Sequence, residues 1–61
     1  MSQQTILTLA RIHGGHIEAS RLGMLLFSFV QPEQALSFAS ATDGMLIRGL
    51  ERGAVYAAVR V

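Results

Sequence analysis

Met45-Leu46-Ile47-Arg48-Gly49-Leu50-Glu51-Arg52-Gly53-Ala54-Val55-Tyr56-Ala57-Ala58-Val59-Arg60-Val61 is the stretch whose reading decides the fold. Val55, Ala57, Val59 and Val61 fall on one side of an extended chain, and Ala54, Tyr56, Ala58 and Arg60 on the other. That period of two marks a half-buried strand. Met45 to Arg48 is a second short apolar run, and between the two lies a loop with glycine at both shoulders and charge at its tip. Gly53 suits the left-handed conformation that a short hairpin loop needs. The pattern predicts a β-hairpin with Arg52 at its tip. Two strands alone are marginal in water, so the hairpin must lean on apolar residues earlier in the chain.

Those earlier residues read as helices. Ser2 is a cap for a first helix starting at Gln3, because its hydroxyl can accept from the free N–H groups of the opening turn. Ile6, Leu9, Ala10 and His13 form a stripe at helical spacing, widened by Leu7 and Ile12, and Gly14-Gly15 ends it. His16-Ile17-Glu18 reads as a short extended link. Leu22, Leu25, Leu26 and Phe29 have helical spacing, which predicts a second helix over 19–27 with Gly23 inside it and a turn at Ser28-Phe29-Val30. Gln31-Pro32-Glu33-Gln34 then opens a third helix, since proline loses nothing at the first helical position. This helix runs to Thr42 or Asp43, with Ala35, Leu36, Phe38, Ala39 and Thr42 inward, and Gly44 stops it. The expected fold is therefore α+β, three short helices followed by a C-terminal two-stranded hairpin, in one domain over 1–61 with no internal repeat.

Size and composition bound the function. The 61 residues are 51% hydrophobic and 15% charged, with no cysteine. Disorder is excluded by that composition, and a disulfide framework or thiolate metal site by the missing thiols. So small a chain with so much apolar surface points to self-association, and a homodimer is expected. No apolar run approaches a membrane span and the N-terminus has no signal-peptide pattern, so a cytoplasmic location is expected. The net charge is only +1, and every basic residue is arginine.

The order of an Ile6-to-His13 helix, Gly14-Gly15, Ile17, a helix with Leu22, a Pro32-started helix, Gly44, and the run from Leu46-Ile47-Arg48 to Tyr56 resembles the winged helix-turn-helix DNA-binding superfamily. Residues 9–19 are also similar to the opening of small ferrous-iron-transport regulators of enteric bacteria, whose wing cysteines this chain lacks. The superfamily resemblance implies a third helix in the major groove of double-stranded DNA, a wing on the backbone or minor groove, and a link at residues 16–18 that pairs with the wing as a small third strand with Ile17 inward. It places Gln31, Gln34, Ser37 and Ser40 toward the groove, Arg52 at the wing tip, and Arg48 and Arg21 on phosphates. Against this, the third helix has no lysine or arginine and carries Glu33 and Asp43. Phosphate neutralisation supplies most non-specific affinity, so binding would need a dimer to double the few arginines.

Plainer readings stand beside these. Gln34 and Ser37 are ordinary solvated helix residues, Arg48 and Arg60 can blunt strand edges, and His13 with His16 fits a helix-end cap as well as a fragment of a metal site. No nucleophile elbow, phosphate loop or paired carboxylates are present, so neither enzymatic activity, a cofactor nor a bound metal is expected. Two functions remain: a small dimeric DNA-binding transcriptional regulator, or a protein–protein interaction module acting as adaptor, assembly subunit or antagonist.

Overall fold

Both helices form because the chain supplies their ends locally. Helix α1 (Gln3–Ile12) starts where Ser2 Oγ accepts the Thr5 N–H at 3.2 Å. It ends at Gly14, whose φ of 81° lets the Gly15 N–H turn back onto the Ala10 carbonyl at 2.7 Å. Helix α2 (Pro32–Thr42) begins with proline in its first turn and ends at Asp43, which adopts the left-handed conformation at φ 56°. The Gly44 N–H then donates to the Ala39 carbonyl at 2.8 Å. Ile6, Ala10, Ala35, Phe38, Ala39 and Thr42 are the buried residues of the two helices. Leu36 and Ile12, read as inward-facing, are exposed.

The computed structural model describes residues 1–48 and 55–61. Between and after the helices it places β1 (His16–Arg21), β2 (Met24–Phe29), β3 (Met45–Arg48) and β4 (Val55–Arg60). The four strands make one sheet in the order β1-β2-β4-β3, with every neighbouring pair antiparallel. Among the described residues the chain is α+β with two helices and four strands, so the expected trio of helices with a C-terminal two-stranded wing is overturned.

The error lies in residues 19–29. Leu22, Leu25, Leu26 and Phe29 satisfy a helical period, but Leu25, Phe27 and Phe29 also satisfy a period of two, and those three are the buried ones. Short apolar runs are ambiguous between the two periods. Pairing with β1 on one side and β4 on the other decides for the strand. Gly23, expected inside a helix, has φ 81° and turns a hairpin together with Leu22 at φ 42°. Positive φ at both central residues is the type I′ pattern, whose twist matches that of antiparallel strands. The link at 16–18 is the start of β1 and pairs with β2, not with the C-terminal hairpin.

The C-terminal pairing itself is present, Met45 opposite Ala58 through Arg48 opposite Val55. Residues 49–54, on which the expected left-handed Gly53 and the expected tip position of Arg52 fall, lie outside the described residues.

The chain also repeats itself, which its sequence does not advertise. The α-β-β unit occurs twice, and β2 and β4 pair at the centre, so a pseudo-two-fold axis passes through the sheet between them. A shift that carries Ser2 onto Gln31 superposes the helix ends residue by residue. Ile6 and Ala10 correspond to Ala35 and Ala39, all four buried. Gly14 and Asp43 both take positive φ, and Gly15 and Gly44 make the same backbone turn. His13 Nδ1 meets the Leu9 carbonyl at 2.9 Å, and Thr42 Oγ1 donates to the Phe38 carbonyl at 2.8 Å.

Both helices lie on one face of the sheet. Leu25, Phe27, Phe29, Ala57 and Val59 project from β2 and β4 into one core with Ile6, Ala10, Ala35, Phe38 and Ala39. Phe38 is the centre of an aromatic cluster, 5.1 Å from Phe27 and 5.3 Å from Phe29 between ring centroids. Gly15 is required by this packing, because a Cβ there would stand 2.6 Å from the Phe29 ring.

Candidate functional site

The residues that alternate away from the core build the opposite face of the sheet. Cross-strand partners share a face, so the register orders this surface into three rows. At one end His16, Ser28, Tyr56 and Ile47 lie side by side across β1, β2, β4 and β3. The middle row is Ala19, Leu26, Ala58 and Met45. Arg21, Met24 and Arg60 form the third, at the far end.

No helix lies over these rows, and no other element of the described residues does. Met45 is 65% exposed and Ile47 41%, although leucine, isoleucine and methionine are side chains that folding ordinarily removes from water. In the middle, Leu26 is half-buried and Ala58 is buried by its neighbours in the sheet. Toward the Arg60 end the surface sinks into a groove of about 390 Å³ lined by Met24, Asp43, Gly44, Met45, Ala58 and Arg60.

Charge on the face is polarised along the strands. The register of β1 slips between Ile17 and Ala19, and Glu18 is the extra residue of that bulge. Ser28 Oγ donates to Glu18 Oε2 at 2.6 Å, which holds the carboxylate beside the His16 row. Arg21 and Arg60 mark the other end, two strand spacings apart across Met24, with Asp43 in the groove beside Arg60.

Comparison of the chain with protein-family models, with curated proteins and with solved structures finds no match. The functional reading therefore rests on this face and on its chemistry.

The residues singled out for DNA contact do not converge. Gln31 occupies the N-cap position of α2 without a side-chain cap, and Gln34 is half-buried, with its amide next to Gly14. Ser37 and Ser40 are exposed on α2, on the helical side of the molecule. Arg48 ends β3 in the row of Val55 and Phe29, which faces the helices. Arg21 lies on the opposite face, and Arg52 is outside the described residues. The helix expected to read a groove instead buries Ala35, Phe38, Ala39 and Thr42 against the sheet, with no helix of a helix-turn-helix pair before it.

Sequence reasoning placed Tyr56, Ala58 and Arg60 together but missed their continuation into Leu26, Met24 and Glu18. The alternation of Met24, Leu26 and Ser28 with Leu25, Phe27 and Phe29 was the available signal. On the helical side, a cleft of about 380 Å³ opens between α1 and β1, floored by Leu7, Ala10, Ile17 and Phe27 with Arg11 and His16 beside it. Among the described residues no group of three or more His, Asp or Glu side chains could hold a metal ion, and no helix is long and apolar enough to cross a membrane.

Proposed function

We propose that this chain is a protein-association module whose working surface is the uncovered face of its sheet. One observation supports the reading most directly. An apolar row, Ala19, Leu26, Ala58 and Met45, runs across all four strands, with Met24, Tyr56 and Ile47 beside it and no described element on top. Antiparallel sheets normally present a polar outer face to water. A contiguous apolar face rimmed by charge marks a partner site, and methionine and tyrosine are favoured at the centres of such sites. The cytoplasmic location expected from the sequence is kept as part of this proposal.

The DNA-binding reading depended on a recognition helix and wing. Because that architecture is replaced by a four-stranded sheet, it is not carried forward.

Hydroxyl-radical footprinting tests the association reading. Met24, Met45 and Tyr56 should be modified several-fold less in concentrated lysate of producing cells than in dilute purified protein, while Met1 should not change. Equal modification of all four in both samples would end the proposal.

A further inference from the structure

We propose that the partner on this face is a second copy of the chain, stacked sheet against sheet about a two-fold axis that runs across the strands through the Ala19–Leu26–Ala58–Met45 row. The inference rests on the association reading above and names its partner. It follows from how the rows are ordered.

A two-fold axis in that direction reverses each strand onto itself, so the first row of one copy lies over the third row of the other. Glu18, held by Ser28 at 2.6 Å, then faces Arg21 of the second copy on the overlying β1. On β4, Tyr56 comes over Arg60 of the second copy, placing a guanidinium against an aromatic face. At the centre, the apolar middle row meets itself. Stacked sheets stand about 10 Å apart, a gap that Glu and Arg side chains bridge from either side.

The other in-plane axis, parallel to the strands, matches less well: it brings Arg21 toward Asp43 of the second copy but leaves Glu18 and Arg60 without a charged or aromatic partner. It sets β1 over β3, so Glu18 meets Met45 and Ile47, and β2 over β4, so Arg60 meets Met24. Glu18 and Arg60 would be desolvated against apolar side chains without a partner. The face is thus more self-complementary about the axis across the strands, and self-complementarity is the requirement for an isologous two-fold interface.

Three strands of six residues and one of four, about 4.8 Å apart, make a face of roughly 15 by 20 Å at most. At about 300 Å² per copy this is well under the roughly 800 Å² per partner of a standard interface, so the dimer should be a weak, transient one.

Sedimentation velocity on the full chain tests the proposal. Wild type should move from 6.6 kDa toward twice that mass between about 1 and 500 µM. E18R replaces the carboxylate of the Glu18–Arg21 pair by a guanidinium, and R21E/R60E replaces the guanidiniums of the face by carboxylates. Each alone should lose self-association by tenfold or more while keeping its circular dichroism spectrum, and an equimolar mixture should recover a heterodimer. R21E alone replaces the double variant if the latter fails to fold. Wild type remaining at 6.6 kDa throughout, E18R dimerising as well as wild type, or a mixture that stays monomeric would each overturn the second-copy inference. A monomeric wild type whose Met45 and Tyr56 are still protected in lysate would leave the association reading intact and refute only this partner. Loss of both signals refutes the two together.

Discussion

Phe38 stands edge-on to Phe27, their ring centroids 5.1 Å apart and their planes at 72°, and this contact joins α2 to the centre of the sheet. Both rings are almost wholly buried. Truncating a buried phenylalanine costs about 3–5 kcal/mol, from lost transfer energy and the cavity left behind. A domain of this size has roughly 3–9 kcal/mol in total at the usual stability per residue. Phe38→Ala is therefore expected to leave the chain largely unfolded at 25 °C. Far-ultraviolet circular dichroism with urea titration measures this, and a midpoint within error of wild type would contradict the packing described.

Leu22 is fully exposed and holds φ at 42° beside Gly23 at 81°. A left-handed leucine costs on the order of 1 kcal/mol, and asparagine tolerates this turn position better. Leu22→Asn should raise stability by about 0.5–1 kcal/mol, or several degrees in Tm for so small a domain. A lower Tm would mean that Leu22 makes a contact in the folded state.

The two helix starts are equivalent in the repeat but unequal in chemistry. Ser2 caps α1 through Thr5, whereas Gln31 at the same position of α2 makes no side-chain cap. Ser2→Ala is expected to lose about 0.5–2 kcal/mol. Gln31→Ser should gain up to about 1 kcal/mol by the same mechanism. Denaturant midpoints moving in the same direction for both variants would show that the caps do not govern helix ends here.

Two glycines separate steric from conformational constraint. At Gly15 an added Cβ would stand 2.6 Å from the Phe29 ring, while at Gly23 it would meet nothing within 4 Å but would have to adopt φ 81°. Gly15→Ala should cost about 1–3 kcal/mol by overpacking. Gly23→Ala should cost about 1–2 kcal/mol from the left-handed backbone alone. Adding Phe29→Leu should recover part of the Gly15→Ala loss and none of the Gly23→Ala loss, as read by a double-mutant cycle.

How much of this was legible beforehand differs by segment. The α2 bounds, the inward set Ala35, Phe38, Ala39 and Thr42, and the opposed faces of Val55-Ala57-Val59 and Tyr56-Ala58-Arg60 follow from pattern. Leu36 was misplaced because the core beneath α2 is narrow and its width is set by two helices sharing one sheet face. The repeat was hidden because equivalent positions keep their burial and backbone conformation but not their identity: Ile6 against Ala35, Gly14 against Asp43, His13 against Thr42. Of the candidate face, Tyr56, Ala58 and Arg60 were grouped correctly, whereas Glu18 and Met24 were assigned to a link and a helix.

Local chemistry by itself determined where both helices begin and end, because Ser2, Pro32, Gly14 and Gly44 act on backbone groups within a turn of themselves. It also determined that Val55 to Arg60 is a strand, since only one period suits those residues. The conformation of Met24 to Phe29 was decided by tertiary structure alone. Its apolar spacing satisfies both periods, and the backbone hydrogen bonds that select the strand come from β4, some thirty residues away in the chain. The uncovered face has the same origin, because no residue reveals which side of a sheet is bare until both helices have settled on the other.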